Sequence, residues 1–468
     1  MFTALGTYAT YRLGSLLYNK QVGLNAALLF ASSLAIILSN HDVRTDTILV
    51  GSVAFGIWQL AAFVQNEKLV NVLLGGAGIA LGVATKGMIS VLVAGTAIFC
   101  HIAYLRKWRM LYTWKWLAGL VAFAVVIFPV AYCYYLQFDL HPEKVVNGAR
   151  QQSGIKFLFW TQSFERLAGQ RSMTSSPEFS FFYHTILWAI LPWGLLVYPA
   201  VLGRIKYMWN LKCKPVKSLE LLTLGGVVIM FHLMSASKFK LPHYLNILFP
   251  LLAVLLSSYL DNLFQNNKLK ELRIFVRLQY FIVTLLVLGA VVLNAWFFPA
   301  NNAIPIVGGM LLLSALIYLL LLKRPLLFKI IVPSVVAIML LAFTLNTNFY
   351  PRLLKYQSGN EIAAIVGKNS IPKEQVYVYN EFKYSLDFYL QRTNPAMTLE
   401  QLKAKSSRGE KFYLVVYKGG INDIKNSALN LTKEYTTPQF HISRLDLKFL
   451  NPATRKQSLD SAWLFQIN

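Results

Sequence analysis

The sequence predicts a polytopic α-helical membrane protein with a small α/β domain at its C-terminal end, and three observations carry that prediction. Across 468 residues, 56% of the side chains are hydrophobic and the mean hydropathy is +0.48, more apolar surface than a soluble domain of this size buries. Apolar runs close to the roughly 20 residues that cross a bilayer recur through the first part of the chain. From Tyr350 onward the composition changes to short β-rich stretches separated by helix-like or polar segments, the pattern of a small α/β unit. The expected division is therefore a membrane domain over 1–350 and an α/β domain over 351–468.

In chain order the runs fall at 22–40, 46–65, 69–85, 88–105, 116–136, 180–202, 219–236, 241–260, 276–298, 303–322 and 328–349, about eleven complete spans by length and hydropathy. Residues 1–18 read as a twelfth that has lost its upstream half, without a signal peptide's charged start, apolar centre and cleavage site. The chain is thus expected to begin inside a longer protein.

Loop charge orients the spans. One side carries Lys20; Lys68; Arg106, Lys107, Arg109 and Lys115; Arg204, Lys206, Lys212, Lys214 and Lys217; Lys268, Lys270, Arg273 and Arg277; and Lys323, Arg324 and Lys329. The positive-inside rule makes it cytoplasmic. The turns at 41–46, 86, 237–243 and 299–302, the long loop over 137–179 and everything after 350 then face the periplasm. The long loop contains KFLFWTQSFERLAG, whose aromatic and apolar content suits helices lying in the interface over a cavity.

The net charge of +25 does not imply nucleic acid, because the cations sit in loops between apolar runs and not on a groove-reading helix. Cys100, Cys133 and Cys213 lie far apart in or beside apolar runs and read as packing residues. No repeat of solenoid or transporter type is present, nor a P-loop, an HExxH or a paired CxxC. Gly78 and Gly82 in GGAGIALG form a small-xxx-small face for helix packing. The SASK at 235–238 lacks the partner motifs of a hydrolase.

What remains is a set of ionisable groups at the outer ends of spans: His41, Asp42, Arg44 and Asp46 in NHDVRTD, Lys86 in ATKG, Glu165 and Arg166 in TQSFERLAG, and Lys238, Lys240 and His243 in SKFKLPHY. A lone lysine or arginine at that depth can snorkel, and Asp46 also suits the start of a helix. Four turns converging on one membrane face instead suit a lipid-linked phosphate, whose leaving group gains charge-assisted hydrogen bonds.

These stretches, NHDVRTDTIL, GIALGVATKG, FWTQSFERLAG followed by FFYHTILWAILPW, and SKFKLPHYLNILFP, resemble the GT-C membrane glycosyltransferases of the protein O-mannosyltransferase and aminoarabinose lipid A transferase (ArnT-like) type, in order and spacing. The resemblance is closest to the bacterial branch with a C-terminal periplasmic domain. It implies transfer of a sugar from a polyprenyl-phosphate donor to a lipid, glycan or protein acceptor at the periplasmic face of the inner membrane. It further implies that Lys86, Arg166, Lys238 and Lys240 hold donor phosphate, with His243 and Arg44 beside them, and that Asp46 takes the family's acidic position as the candidate catalytic carboxylate or the group orienting a lysine. The family's catalytic carboxylate otherwise lies in the first periplasmic loop, and this chain begins after it, so the expectation is a fragment or a product inactive alone. Where some lipid A transferases carry a histidine supporting a divalent metal, this chain has Gln162 and Ser163, and no metal ligand is assigned. The competing readings are a lipid-linked saccharide flippase or polymerase and a non-catalytic membrane scaffold. The scarcity of mid-span charges weighs against the first, and the absent carboxylate loop favours the second.

Overall fold

In the computed structural model, residues 1–42, 44–146, 148–165, 178–212, 214–216, 219–381 and 384–468 are described. Among them seven helices are long and apolar enough to cross a membrane, or eight when the bent pair Phe181–Ala189 and Gly194–Asn210 counts as one span. Ile89–Leu105 and Leu222–Ala236 are apolar but shorter. On the Lys115–Tyr134 helix, Leu117, Leu120, Val121, Val125 and Phe128 are all exposed. An apolar stripe of that extent is suited to lipid and not to water. The chain divides into two compact units, one of Met1–Leu285 with Ser314–Met339 and one of Leu286–Leu313 with Leu340–Asn468.

In the first unit the chain turns from helix Asp46–Asn66 into helix Leu69–Lys86 through Glu67, which takes a left-handed conformation (φ 57°) and donates its N–H to the Phe63 carbonyl. The two helices pack closely because their contact is made of small residues. A Cβ on Gly78 would lie 3.0 Å from the Gly56 Cα, and one on Gly82 would lie 2.8 Å from both Ser90 Oγ and a Val53 methyl. The GGAGIALG stretch is therefore a packing face, as its spacing predicts. This hairpin places residue 46 and residue 86 at the same end of the bundle.

Two predicted continuous spans are broken. The 22–40 run divides into Lys20–Ala31 and Leu34–Ser39, and at the break the Ser32 and Ser33 hydroxyls donate to the carbonyls of Leu28 (2.6 Å) and Leu29 (2.8 Å), the local competition that unwinds helices. The 180–202 run bends by 119° between Phe181–Ala189 and Gly194–Asn210, where Pro192 has no N–H to continue the helical ladder. Two other segments satisfy the corner: at the Ser32–Leu34 break, Leu34 N–H donates to Leu191 O (2.9 Å) and Ser32 Oγ accepts from Trp193 Nε1 (3.0 Å), and from a later helix Gln279 Nε2 donates to Pro192 O (3.2 Å). Irregular backbone at membrane depth persists only where protein supplies such partners.

The second unit contains a five-stranded mixed sheet in the order β2-β1-β3-β5-β4, with β1 Val376–Tyr379, β2 Ala396–Met397, β3 Phe412–Tyr417, β4 Leu431–Gln439 and β5 Asp460–Ile467. β1 pairs in parallel with β2 and β3, while β5 runs antiparallel to β3 and β4. Alternate residues of β3 enter opposite cores, Tyr413, Val415 and Tyr417 on one face and Phe412, Leu414 and Val416 on the other, so the central strand is apolar throughout. A further cluster joins Phe298, Phe349, Leu353 and Phe449.

Candidate functional site

Asp46 opens its helix and Lys86 closes the next one, positions at which each charge complements a helix dipole. Gly87 (φ +72°) ends the second helix directly after the lysine. Lys86 Nζ donates to Asp46 Oδ1 at 2.5 Å; the carboxylate side chain is 2% exposed and the lysine 23%. Asp46 Oδ2 is buried with no hydrogen-bond partner among the described residues. An ammonium has three N–H donors, so Lys86 keeps donor capacity for an anion after satisfying Asp46.

The pair forms part of the wall of a cavity of about 370 Å³, together with Thr85, Gln162, Ser163, Ser237, His243 and Tyr244. His243 and Tyr244 come from the short helical turn Pro242–Leu248 that leads into Phe249–Gln265. Arg44 Nη1 lies 2.8 Å from His243 Nδ1, and Arg44 Nε pairs with Asp42 at 2.6 Å. A guanidinium only donates, so Nδ1 accepts and the imidazole carries its proton on Nε2. The Tyr244 ring lies 6.0 Å from Lys86 Nζ and edge-on to His243.

Gln162 and Ser163 reach the cavity on the helical stretch Gly154–Lys156 and Phe157–Glu165. Asp139 fixes the start of that stretch: its carboxylate accepts from Ser153 Oγ (2.6 Å), Gly154 N–H (2.9 Å) and Ile155 N–H (3.2 Å). Glu165 accepts from Thr161 Oγ1 at 3.0 Å and sits 3.8 Å from Lys156 Nζ. Like Asp46 Oδ2, Ser163 Oγ is buried without a partner among the described residues.

The structure thus brings together Asp46, Lys86 and His243, with Arg44 held against the imidazole. Lys238 is exposed and does not line the cavity. Lys240 is 5% exposed and turns its Nζ to the Glu178 carbonyl at 3.2 Å; burial pushes its ammonium below the usual lysine range. Arg166 lies outside the described residues. Gln162, Ser163, Ser237 and Tyr244 add polar groups that charge alone does not flag, although all four sit inside or beside the TQSFERLAG and SKFKLPHY stretches. No group of three or more His, Cys, Asp or Glu side chains converges among the described residues. Since Gln162 and Ser163 bring only neutral donors, the set does not fit a divalent metal, and no step is routed through one. A cavity with a fixed ammonium, a free carboxylate oxygen, a neutral imidazole and hydroxyls beside the helical stretch Gly154–Lys156 and Phe157–Glu165 is suited to an anion carrying a polyhydroxylated group.

Residues 1–132 match the profile of the dolichyl-phosphate-mannose-protein mannosyltransferase family. Over 268 residues the chain is 25% identical to an undecaprenyl phosphate-α-4-amino-4-deoxy-L-arabinose arabinosyl transferase of Wigglesworthia glossinidia brevipalpis, covering 55% of this chain and 43% of the relative. It is 27% identical over 248 residues to the Pseudomonas paraeruginosa protein of the same name, covering 52% and 41%. The chain spans less than half the length of these curated relatives in the aligned stretch. Its fold matches the crystal structure of ArnT from Cupriavidus metallidurans bound to undecaprenyl phosphate, with a TM-score of 0.65 at 16% identity, covering 92% of this chain and 80% of that one.

Proposed function

We propose that this chain, similar over part of its length to ArnT-like proteins and matching ArnT in fold, serves sugar transfer from a polyprenyl-phosphate donor to a lipid, glycan or protein acceptor at the periplasmic face of the inner membrane. The observation that carries this reading is the Lys86–Asp46 pair set in the wall of a cavity. In the proposed reaction the acceptor hydroxyl oxygen bonds to the anomeric carbon as the bond from that carbon to the phosphate oxygen breaks. The hydroxyl proton passes to a base and the lipid phosphate leaves as an anion. Lys86 donates to that phosphate, stabilising the charge that develops on it. Asp46 acts through Lys86, keeping the ammonium pointed into the cavity, and Arg44 holds His243 so that its Nε2–H is the group left to donate. Arg166 adds a second phosphate contact from the interfacial segment, while Lys238 and Lys240 contribute positive field around the mouth.

The test is transfer in membranes supplied with a polyprenyl-phosphate sugar, measured for the chain alone and for the chain fused to an upstream span and acidic loop. Transfer by either form is expected, with Arg166→Ala slower by about 100-fold in the active one. Absence of transfer from both forms rejects the reading. The proposed layout, a membrane transferase part over 1–350 and a periplasmic α/β part over 351–468, predicts that a tag placed after Asn468 reacts with a membrane-impermeant reagent in spheroplasts. Reaction only after the inner membrane is opened overturns that topology.

A further inference from the structure

A second polar cavity, of about 220 Å³, lies between the helices Gly194–Asn210 and Phe249–Gln265 and is lined by Arg204, Lys206, Tyr207, Asn210, Tyr259 and Asn262. Its position is distinct from the first. Helix Phe2–Leu17 has one end at Thr3, bonded to Asn40 in the turn that precedes Asp46. At its other end Tyr18 donates to Glu220 Oε1 and lies under the Arg204 guanidinium, 5.6 Å from ring centroid to carbon. A helix of that length separates its ends by about 24 Å at 1.5 Å per residue, so this cavity lies at the opposite end of the bundle, on the side rich in lysine and arginine.

The sequence places its residues by helical spacing. Gly203, Lys206, Tyr207 and Asn210 share one face of their helix, and Tyr259, Asn262 and Leu263 share one face of the other. Gly203 lets the helices approach: a Cβ there would come within 2.6 Å of the Tyr259 ring.

The informative group is Arg204. It is 5% exposed, and among the described residues its contacts are a 2.6 Å hydrogen bond to Ser258 Oγ and the Tyr18 ring, with no carboxylate in ion-pair contact. Glu220, a buried acid on the same network, accepts from Tyr18 OH and from the N–H and hydroxyl of Thr223 and makes no ion pair with Arg204 among the described residues. Asp261 takes the Asn19 amide. Among the described residues no acid lines the cavity. A topogenic or helix-terminal role accounts for the exposed Lys206, but a buried cation keeps its charge at low cost only when an anion or several acceptors surround it. The rim supplies the remaining clue: Leu202, Ile205 and Trp209 project outward from the same helix as Lys206, Trp209 79% exposed, as expected for side chains at the lipid boundary with a tryptophan at headgroup depth.

The geometry points to a binding site for the phosphodiester of an anionic membrane phospholipid, held by Arg204 and Lys206 with Asn210 and Asn262 as neutral donors, its acyl chains lying along Leu202 and Ile205. Cation-lined hollows between spans on this side of a membrane are suited to such headgroups. The site does not depend on the sugar-transfer reading.

The experiment reconstitutes the full chain in nanodiscs of mixed phosphatidylglycerol and phosphatidylcholine and counts the lipid retained on release by native mass spectrometry. One phosphatidylglycerol retained in preference to phosphatidylcholine is expected, with retention about fivefold lower in Lys206→Gln and also reduced in Asn262→Leu, variants at the cavity wall that leave the buried Arg204 in place. Equal retention of the two lipids, or unchanged preference in both variants, overturns the site. Inorganic phosphate raising the melting temperature in detergent as much as phosphatidylglycerol does assigns the cavity to free phosphate and overturns the lipid assignment.

Discussion

Lys86→Met is expected to remove sugar transfer almost completely, by about 100- to 1,000-fold in turnover, the magnitude for losing a preorganised donor to developing charge. It is also expected to destabilise the protein, because the two partners are unequally buried. Asp46 is 2% exposed and its second oxygen has no partner among the described residues, whereas Lys86 is 23% exposed. Removing the lysine strands a buried carboxylate, at a cost of about 3 kcal/mol; removing the carboxylate leaves an ammonium that still reaches water. Asp46→Asn should therefore melt closer to the parent than Lys86→Met does, and the double variant Asp46→Asn with Lys86→Met should recover most of the lost stability without recovering transfer. That split separates a chemical role from a structural one. Parental turnover in Lys86→Met rejects the phosphate-site assignment, and a double variant that regains transfer reduces the pair to a packing device.

The largest purely structural effect is expected at Arg455. Its Nε donates to the Phe449 carbonyl at 2.9 Å and its Nη2 to the carbonyls of Leu450 (2.8 Å) and Phe297 (2.5 Å), while the guanidinium carbon lies 4.0 Å from the Phe298 ring centroid. One side chain thereby ties the end of the Leu293–Phe297 turn to the Leu447–Leu450 helix within the second unit. Each charge-assisted bond is worth roughly 1.5–3 kcal/mol, and because the three share one group their loss is not additive. Arg455→Ala should cost about 3 kcal/mol. Arg455→Lys should recover little, since an ammonium lacks the planar fork that meets separated acceptors and stacks on a ring. Thermal melting of both variants in detergent checks this; a lysine variant as stable as the parent refutes the fork argument.

The elements legible in the sequence are those written in periodicity and composition. The helices flanking Glu67, the glycine face at Gly78 and Gly82, and the strands β1, β3 and β5 follow from apolar runs and small-residue spacing. β4 is different: LTKEYTTPQ is mostly exposed and contains Pro438, features of an edge strand that composition alone reads as loop. Within the candidate site, Asp46 and Lys86 were readable because helix ends fix where their side chains start. Lys238 and Lys240 sit in a non-helical turn whose spacing carries no directional information, and only coordinates show one exposed and the other turned to Glu178. The contribution of Ser163 depends on Asp139 accepting three donors across the intervening loop, a long-range bond that no local pattern announces. The bends at Ser32–Ser33 and Pro192 escaped for a related reason, since hydropathy measures length and not continuity.

The corner at Leu191–Trp193 also sets an order of assembly. Its Leu191 carbonyl accepts from Leu34 N–H upstream and its Pro192 carbonyl from Gln279 almost ninety residues downstream, and Gln279 in turn accepts from Ser334. Until the ribosome has delivered those later helices to the bilayer, the kink has an unanswered carbonyl facing hydrocarbon, so the nascent intermediate must shelter it with water, lipid headgroup or an insertion factor.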